Sequence, residues 1–138
     1  MRKVLLASLL LTFALALAAC GSSSNLDKAN GDWVCDAKAT LALHPDLQAQ
    51  TAGAPEMAEA LFSAFKMNIN SKDKKMSVSM GQVSESGAFT VVSDSGKSLV
   101  LEMDKDKDKL HIDFTTDDSI TVYSESDANS KIVFARKK

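Results

Sequence analysis

Asp104-Lys105-Asp106-Lys107-Asp108-Lys109 places a carboxylate at every second position, the spacing with which a calcium-binding loop begins to wrap its ion. The pattern breaks where the sixth-position turn glycine should stand, because that residue is Lys109. It breaks again at the twelfth position, where Thr115 replaces a bidentate glutamate. Three interleaved lysines also cancel the charge a cation would need, so the stretch reads as a solvated hairpin loop. His111 and Asp113 lie two apart and project from one face of a strand, as half of a catalytic triad or a pair of metal ligands would. No Gly-x-Ser-x-Gly or similar nucleophile motif accompanies them, His44 stands apart beside Pro45, and Cys35 has no second thiol nearby. Surface alternation accounts for the pair, and Cys35 reads as a buried free thiol. The expectation is therefore a non-enzymatic protein with no catalytic residues, no metal site and no bound cofactor.

The whole chain has 138 residues, 16 basic and 18 acidic side chains, and 45% hydrophobic residues. These values exclude a multidomain enzyme, a disordered tail and a nucleic-acid binder that relies on bulk positive charge. The one basic cluster, Arg136-Lys137-Lys138, reads as a solvated tail. Arg2 and Lys3 precede an apolar run from Val4 to Ala19 interrupted only by Ser8 and Thr12, the charged head and apolar middle of an export signal. The run is shorter than the roughly 20 residues a membrane-spanning helix needs, and no basic stop-transfer cluster follows it.

The run closes on Leu17-Ala18-Ala19-Cys20-Gly21, which resembles the lipobox of bacterial lipoproteins. That resemblance implies removal of residues 1 to 19 and attachment of diacylglycerol to the Cys20 thiol, with an acyl chain added to the new amino terminus. Two or more acyl chains anchor stably where one is marginal. The implied location is the cell envelope. In a host with two membranes it is the inner leaflet of the outer membrane, facing the periplasm, because Gly21 is not the aspartate that resembles a retention signal. Loss of Arg2 and Lys3 shifts the net charge from -2 to -4. Residues 20 to 30 would then form the lipidated cysteine and a polar tether with a coil-like reach of roughly 18 Å, and residues 31 to 138 a single globular unit.

From Gly31 onward the pattern predicts an α+β arrangement. Gly31-Asp32-Trp33-Val34-Cys35 reads as a first strand. Asp36 caps a helix that runs to about Leu43 and ends before Pro45, and a linker from Asp46 to Ala54 follows. A second helix starts at Pro55, with Met57, Leu61 and Phe65 in one stripe at spacing four and Ala58 and Phe62 beside it. After Lys66 the apolar period becomes two. Seven further strands follow through Met67 and Ile69; Met76, Val78 and Met80; Phe89 and Val91; Leu99, Leu101 and Met103; Leu110, Ile112 and Phe114; Ile120 and Val122; and Ile132 and Phe134. The short connections favour sequential antiparallel hairpins, and eight such strands can bury their apolar faces by closing into a barrel.

With Gly31-Asp32-Trp33 on the first strand and Arg136 in the last, the chain resembles the calycins, the superfamily of lipocalins and fatty-acid-binding proteins. That resemblance implies a small eight-stranded up-and-down barrel in which Arg136 packs across Trp33 as a structural latch. It also makes Met67, Met76, Met80, Phe89 and Phe114 the candidate contacts for a small apolar ligand. The inward arginine and tyrosine with which fatty-acid-binding proteins hold a carboxylate are missing, because the one tyrosine, Tyr123, has the opposite parity to Ile120 and Val122. The leading expectation is a lipid-anchored interaction or structural module that meets an envelope protein and the membrane, with carriage of a small apolar ligand as the alternative.

Overall fold

A computed structural model describes residues 24 to 138. The expected export signal, Cys20 and the first residues of the expected tether lie outside the described residues. Period-two alternation becomes eight antiparallel strands: β1 (Gly31–Cys35), β2 (Phe65–Asn70), β3 (Lys75–Met80), β4 (Val83–Ser95), β5 (Ser98–Met103), β6 (Lys109–Thr116), β7 (Ser119–Ser124) and β8 (Ile132–Arg136). Each pairs with its sequence neighbours, and β1 pairs with β8, so the sheet closes into a barrel in the order β1 to β8. The register sets Trp33 between Met67 and Arg136. Inward residues of successive strands, among them Ile69, Leu99, Leu101, Ile112 and Ile120, meet in one buried cluster.

Four short helices accompany the barrel: α1 (Asn25–Ala29), α2 (Ala37–Ala42), α3 (Pro45–Gln50) and α4 (Pro55–Ser63). The stretch read as a flexible tether thus ends in a packed helix. Ser24 Oγ caps α1 by accepting from the Asp27 amide at 3.1 Å, and Leu26 and Ala29, three residues apart, drop into the core. Asn25 is buried too, and its amide side chain donates to the carbonyls of Gly96 and Ser98, each at 3.2 Å. The amides of Asn25 and Leu26 donate to the Asp94 carboxylate at 3.2 and 3.3 Å. A polar composition concealed this segment because its polar groups are satisfied by the β4–β5 turn rather than by water.

At the opposite end, α2, α3 and α4 fill the connection from β1 to β2. Asp36 Oδ1 caps α2 by accepting from the Ala39 amide at 3.0 Å. The fully buried Thr40 hydroxyl accepts from the Val133 amide at 2.9 Å, which ties α2 to β8. The expected linker contains α3 because Pro45 suits the first helical position and Asp46 complements the dipole. The stripe on α4 is rotated from its expected face. Ala58 is buried and Phe62 and Phe65 pack against the core, whereas Met57 and Leu61 remain 66% and 62% exposed. The small Ala58 side chain allows close approach to the neighbouring helix, and the two aromatics supply the larger buried area.

Leu26→Ala should lower unfolding stability by about 2 kcal/mol or more through the cavity it leaves, as read from urea denaturation. A change near zero would mean that residues 25 to 29 are a detached tether.

Candidate functional site

The end of the barrel that carries α1 is held by one arginine. Arg136 stacks on Trp33 with its guanidinium carbon 4.3 Å from the ring centroid. Its Nη1 donates to the Asn30 carbonyl at 3.0 Å, and its Nη2 donates to the carbonyls of Lys28 and Asp117. Its Nε lies 3.3 Å from the Asp118 carboxylate. Trp33 in turn donates from Nε1 to the Ala29 carbonyl at 2.8 Å. The planar guanidinium fork can reach a ring face and several carbonyls together, which an ammonium cannot. Gly31 is required beside it: φ is +124°, and a Cβ there would lie 3.2 Å from Arg136 Nη1.

Four of the five candidate ligand contacts, Met67, Met76, Phe89 and Phe114, are buried among the core side chains. Met80 is not with them. It lies at the tip of the β3–β4 hairpin, 46% exposed, because its strand outruns the closed part of the barrel there. Leu99, Leu101, Ile112 and Ile120 have no exposed surface, so the middle of the barrel is occupied by its own side chains.

His111 and Asp113 have separate partners among the described residues. His111 stacks on Tyr123 at 4.9 Å between ring centroids and lies 3.8 Å from Glu125, while Asp113 accepts from Ser98 Oγ at 2.9 Å. The alternating Asp-Lys loop is likewise engaged in local bonds. Asp108 accepts from Ser124 Oγ at 2.6 Å, which holds its carboxyl below the ordinary value, and Lys107 pairs with Glu102 at 3.6 Å. Burial pushes the Cys35 thiol up, against the opposing effect of its contact with Thr40 Oγ1 at 3.5 Å. A low-reactivity structural thiol results.

The helix-bearing end differs from the latched end in being only half covered. Of the three helices, α2 lies on β8 and α4 on β1 and β2, with α3 packed on α2. The other half opens into a cavity of about 330 Å³ whose apolar wall is Met76, Val78, Met103 and Leu110. Its rim carries Glu85, Lys105, Asp106 and Asp108. No family model, curated protein or solved structure matches the chain.

Sequence reasoning missed the mouth, although a signal was present. Phe89 is inward, so Gly87 and Glu85 have inward parity on β4, and neither is the bulky apolar residue that every neighbouring strand supplies. The apolar alternation therefore stops early on β4, and the cavity begins where it stops. Leu43, Leu47 and Val83 add exposed apolar surface to that of Met57, Leu61 and Met80 at the same end.

Arg136→Lys keeps the charge but loses the fork, and it should cost about 1–3 kcal/mol of stability. Acrylamide quenching of Trp33, the only tryptophan, should rise in parallel. Unchanged stability with unchanged quenching would remove the latch from this account.

Proposed function

We propose that this protein is a lipid-anchored envelope protein whose barrel is a non-catalytic module for binding another envelope protein. One observation carries the reading: the interior is filled by the chain's own side chains, while apolar side chains are left exposed around the mouth that bears α2, α3 and α4. Exposed apolar surface concentrated at one end marks a contact surface better than scattered single residues do. The closed eight-stranded order and the Gly31-Asp32-Trp33 pairing with Arg136 support a calycin-like form of the barrel.

The location rests on the Leu17-Ala18-Ala19-Cys20-Gly21 motif, with diacylglycerol and an acyl chain on Cys20 as the anchor. Ser24 caps α1 only four residues after Cys20, a span of at most about 14 Å. The latched end then faces the bilayer and the helix-bearing mouth faces away from it, toward the periplasm in a two-membrane host. Soluble partners reach the mouth, and the anchoring membrane does not.

A second reading, carriage of a small apolar ligand, draws on the 330 Å³ cavity, a size that suits a small molecule. Native mass spectrometry of the processed protein extracted in detergent separates the two. A stoichiometric protein companion is expected, and a stoichiometric small molecule would favour carriage instead.

Cys20→Ser should leave the export signal uncleaved and move the protein out of the lipid-anchored fraction. Unchanged processing and unchanged membrane retention would overturn the anchor.

A further inference from the structure

Strand β4 is twice as long as its neighbours need, and its two halves are treated differently. Val83 to Ala88 pair with β3, from Met80↔Val83 to Lys75↔Ala88. Pairing with β5 begins only at Phe89↔Met103 and runs toward Ser95. From Val83 to Gly87, then, β4 has a strand on one side only.

The direction of the unused backbone groups follows from two hydrogen bonds. The Phe89 amide donates to the Lys74 carbonyl at 2.9 Å, so Phe89, Gly87, Glu85 and Val83 turn their backbone groups toward β3. The Ala88 carbonyl accepts from the Asp104 amide at 3.0 Å, on the other side. By alternation, the N–H and C=O groups of Ser84 and Ser86 point the same way as those of Ala88, beyond the last bond that β5 supplies. Val83, Ser84, Glu85 and Ser86 are all exposed.

Natural edges are usually blocked by lysine, proline, a bulge or a covering element. Val83-Ser84-Glu85-Ser86-Gly87 contains no lysine or proline, and the β4 irregularity falls at Val91/Ser93, in the paired half. Directly beside the edge lies the mouth cavity, with Val78, Met103 and Leu110 as an apolar floor and Gly87 leaving the near wall low. The rim is acidic: Glu85, Asp106 and Asp108 face a single Lys105, while Lys107 and Lys109 are already paired with Glu102 and Glu125.

We propose that the free edge of β4 at Ser84 and Ser86 takes up an extended peptide from a protein partner, with an apolar and a basic side chain two residues apart on its inward face, as an added strand. The peptide backbone completes the ladder at Ser84 and Ser86. Of its inward side chains, the apolar one opposite Gly87 lies on Val78, Met103 and Leu110, and the lysine or arginine two residues away, opposite Glu85, pairs with that carboxylate. Charge selects this occupant over a second copy, since an edge-to-edge dimer would bring Glu85 against Glu85. This deepens the interaction reading given above and rests on it.

The test uses the full processed protein in detergent micelles and the fluorescein-labelled peptide Lys-Ser-Val-Ser-Lys-Ser-amide, whose lysines and valine share one face. Saturable anisotropy below about 1 mM is expected, with slowed hydrogen exchange at the Ser84 and Ser86 amides. Two control peptides, N-methylated at all serines or at the lysines and valine, each block one backbone edge. One of them should bind roughly tenfold more weakly or worse. Ser86→Pro should abolish binding without breaking an internal ladder bond, and Glu85→Lys should weaken it without altering the backbone. Absence of saturation, equal binding by both methylated peptides, or unchanged exchange at Ser84 and Ser86 would each overturn the proposal. Such a failure alongside a stoichiometric protein companion in native mass spectrometry would remove the edge and keep the interaction module. Strand addition alongside unchanged processing of Cys20→Ser would remove the anchor and keep the edge.

Discussion

Closure of β1 onto β8 is the constraint on which the rest of the molecule depends, and Arg136 is where that closure is reinforced. The guanidinium touches the Trp33 ring, the carbonyls that end α1, and the β6–β7 turn through Asp117 and Asp118. Three segments distant in sequence, residues 28 to 33, the β6–β7 turn and β8 itself, are thereby held by one side chain whose shape matches a flat ring and a set of carbonyls. Without the seam, β1 and β8 would be two free edges and the Ile69–Leu99–Ile112–Ile120 interior would open to water.

The consequence of closure is asymmetry between the two ends. At one end α1 seals the barrel with Leu26 and Ala29, and Asn25 satisfies the carbonyls of Gly96 and Ser98. At the other, α2 lies on β8 and α4 on β1 and β2, while a cavity opens beside β4. A barrel filled by its own side chains offers binding chemistry at its mouth and at whatever ladder it leaves unfinished. Both features meet at the first half of β4, where Gly87 and Glu85 interrupt the apolar lining and the β5 partner has ended.

Much of the barrel is legible in period-two alternation, because a strand with one dry face must alternate: Met67 with Ile69, Leu99 with Leu101, Ile112 with Phe114 and Ile120 with Val122 are all buried. What alternation cannot convey is where a strand outlives its partner, and so Met80 has inward parity yet sits exposed at a hairpin tip. Helical signals are harder to read at these lengths. The six-residue α3 lies within a stretch that composition marks as linker, and α1 follows three serines. On α4 the spacing-four stripe of Met57 and Leu61 was outweighed by the adjacent Ala58–Phe62 face, since tertiary packing chooses between neighbouring stripes that differ by one residue. The mouth was the least legible part, because its signal is a lapse in a pattern rather than a motif.

Residue-resolved amide exchange on the free protein tests the joined claims of a closed seam and an unfinished β4 most directly. The amides of Val34 and Ala135, which pair across the β1–β8 seam, should exchange only with global unfolding, while those of Ser84 and Ser86 exchange near the rate of an unprotected chain. Equal protection at Ser84, Ser86 and the seam, or early loss of the seam while β4 stays protected, would contradict the account.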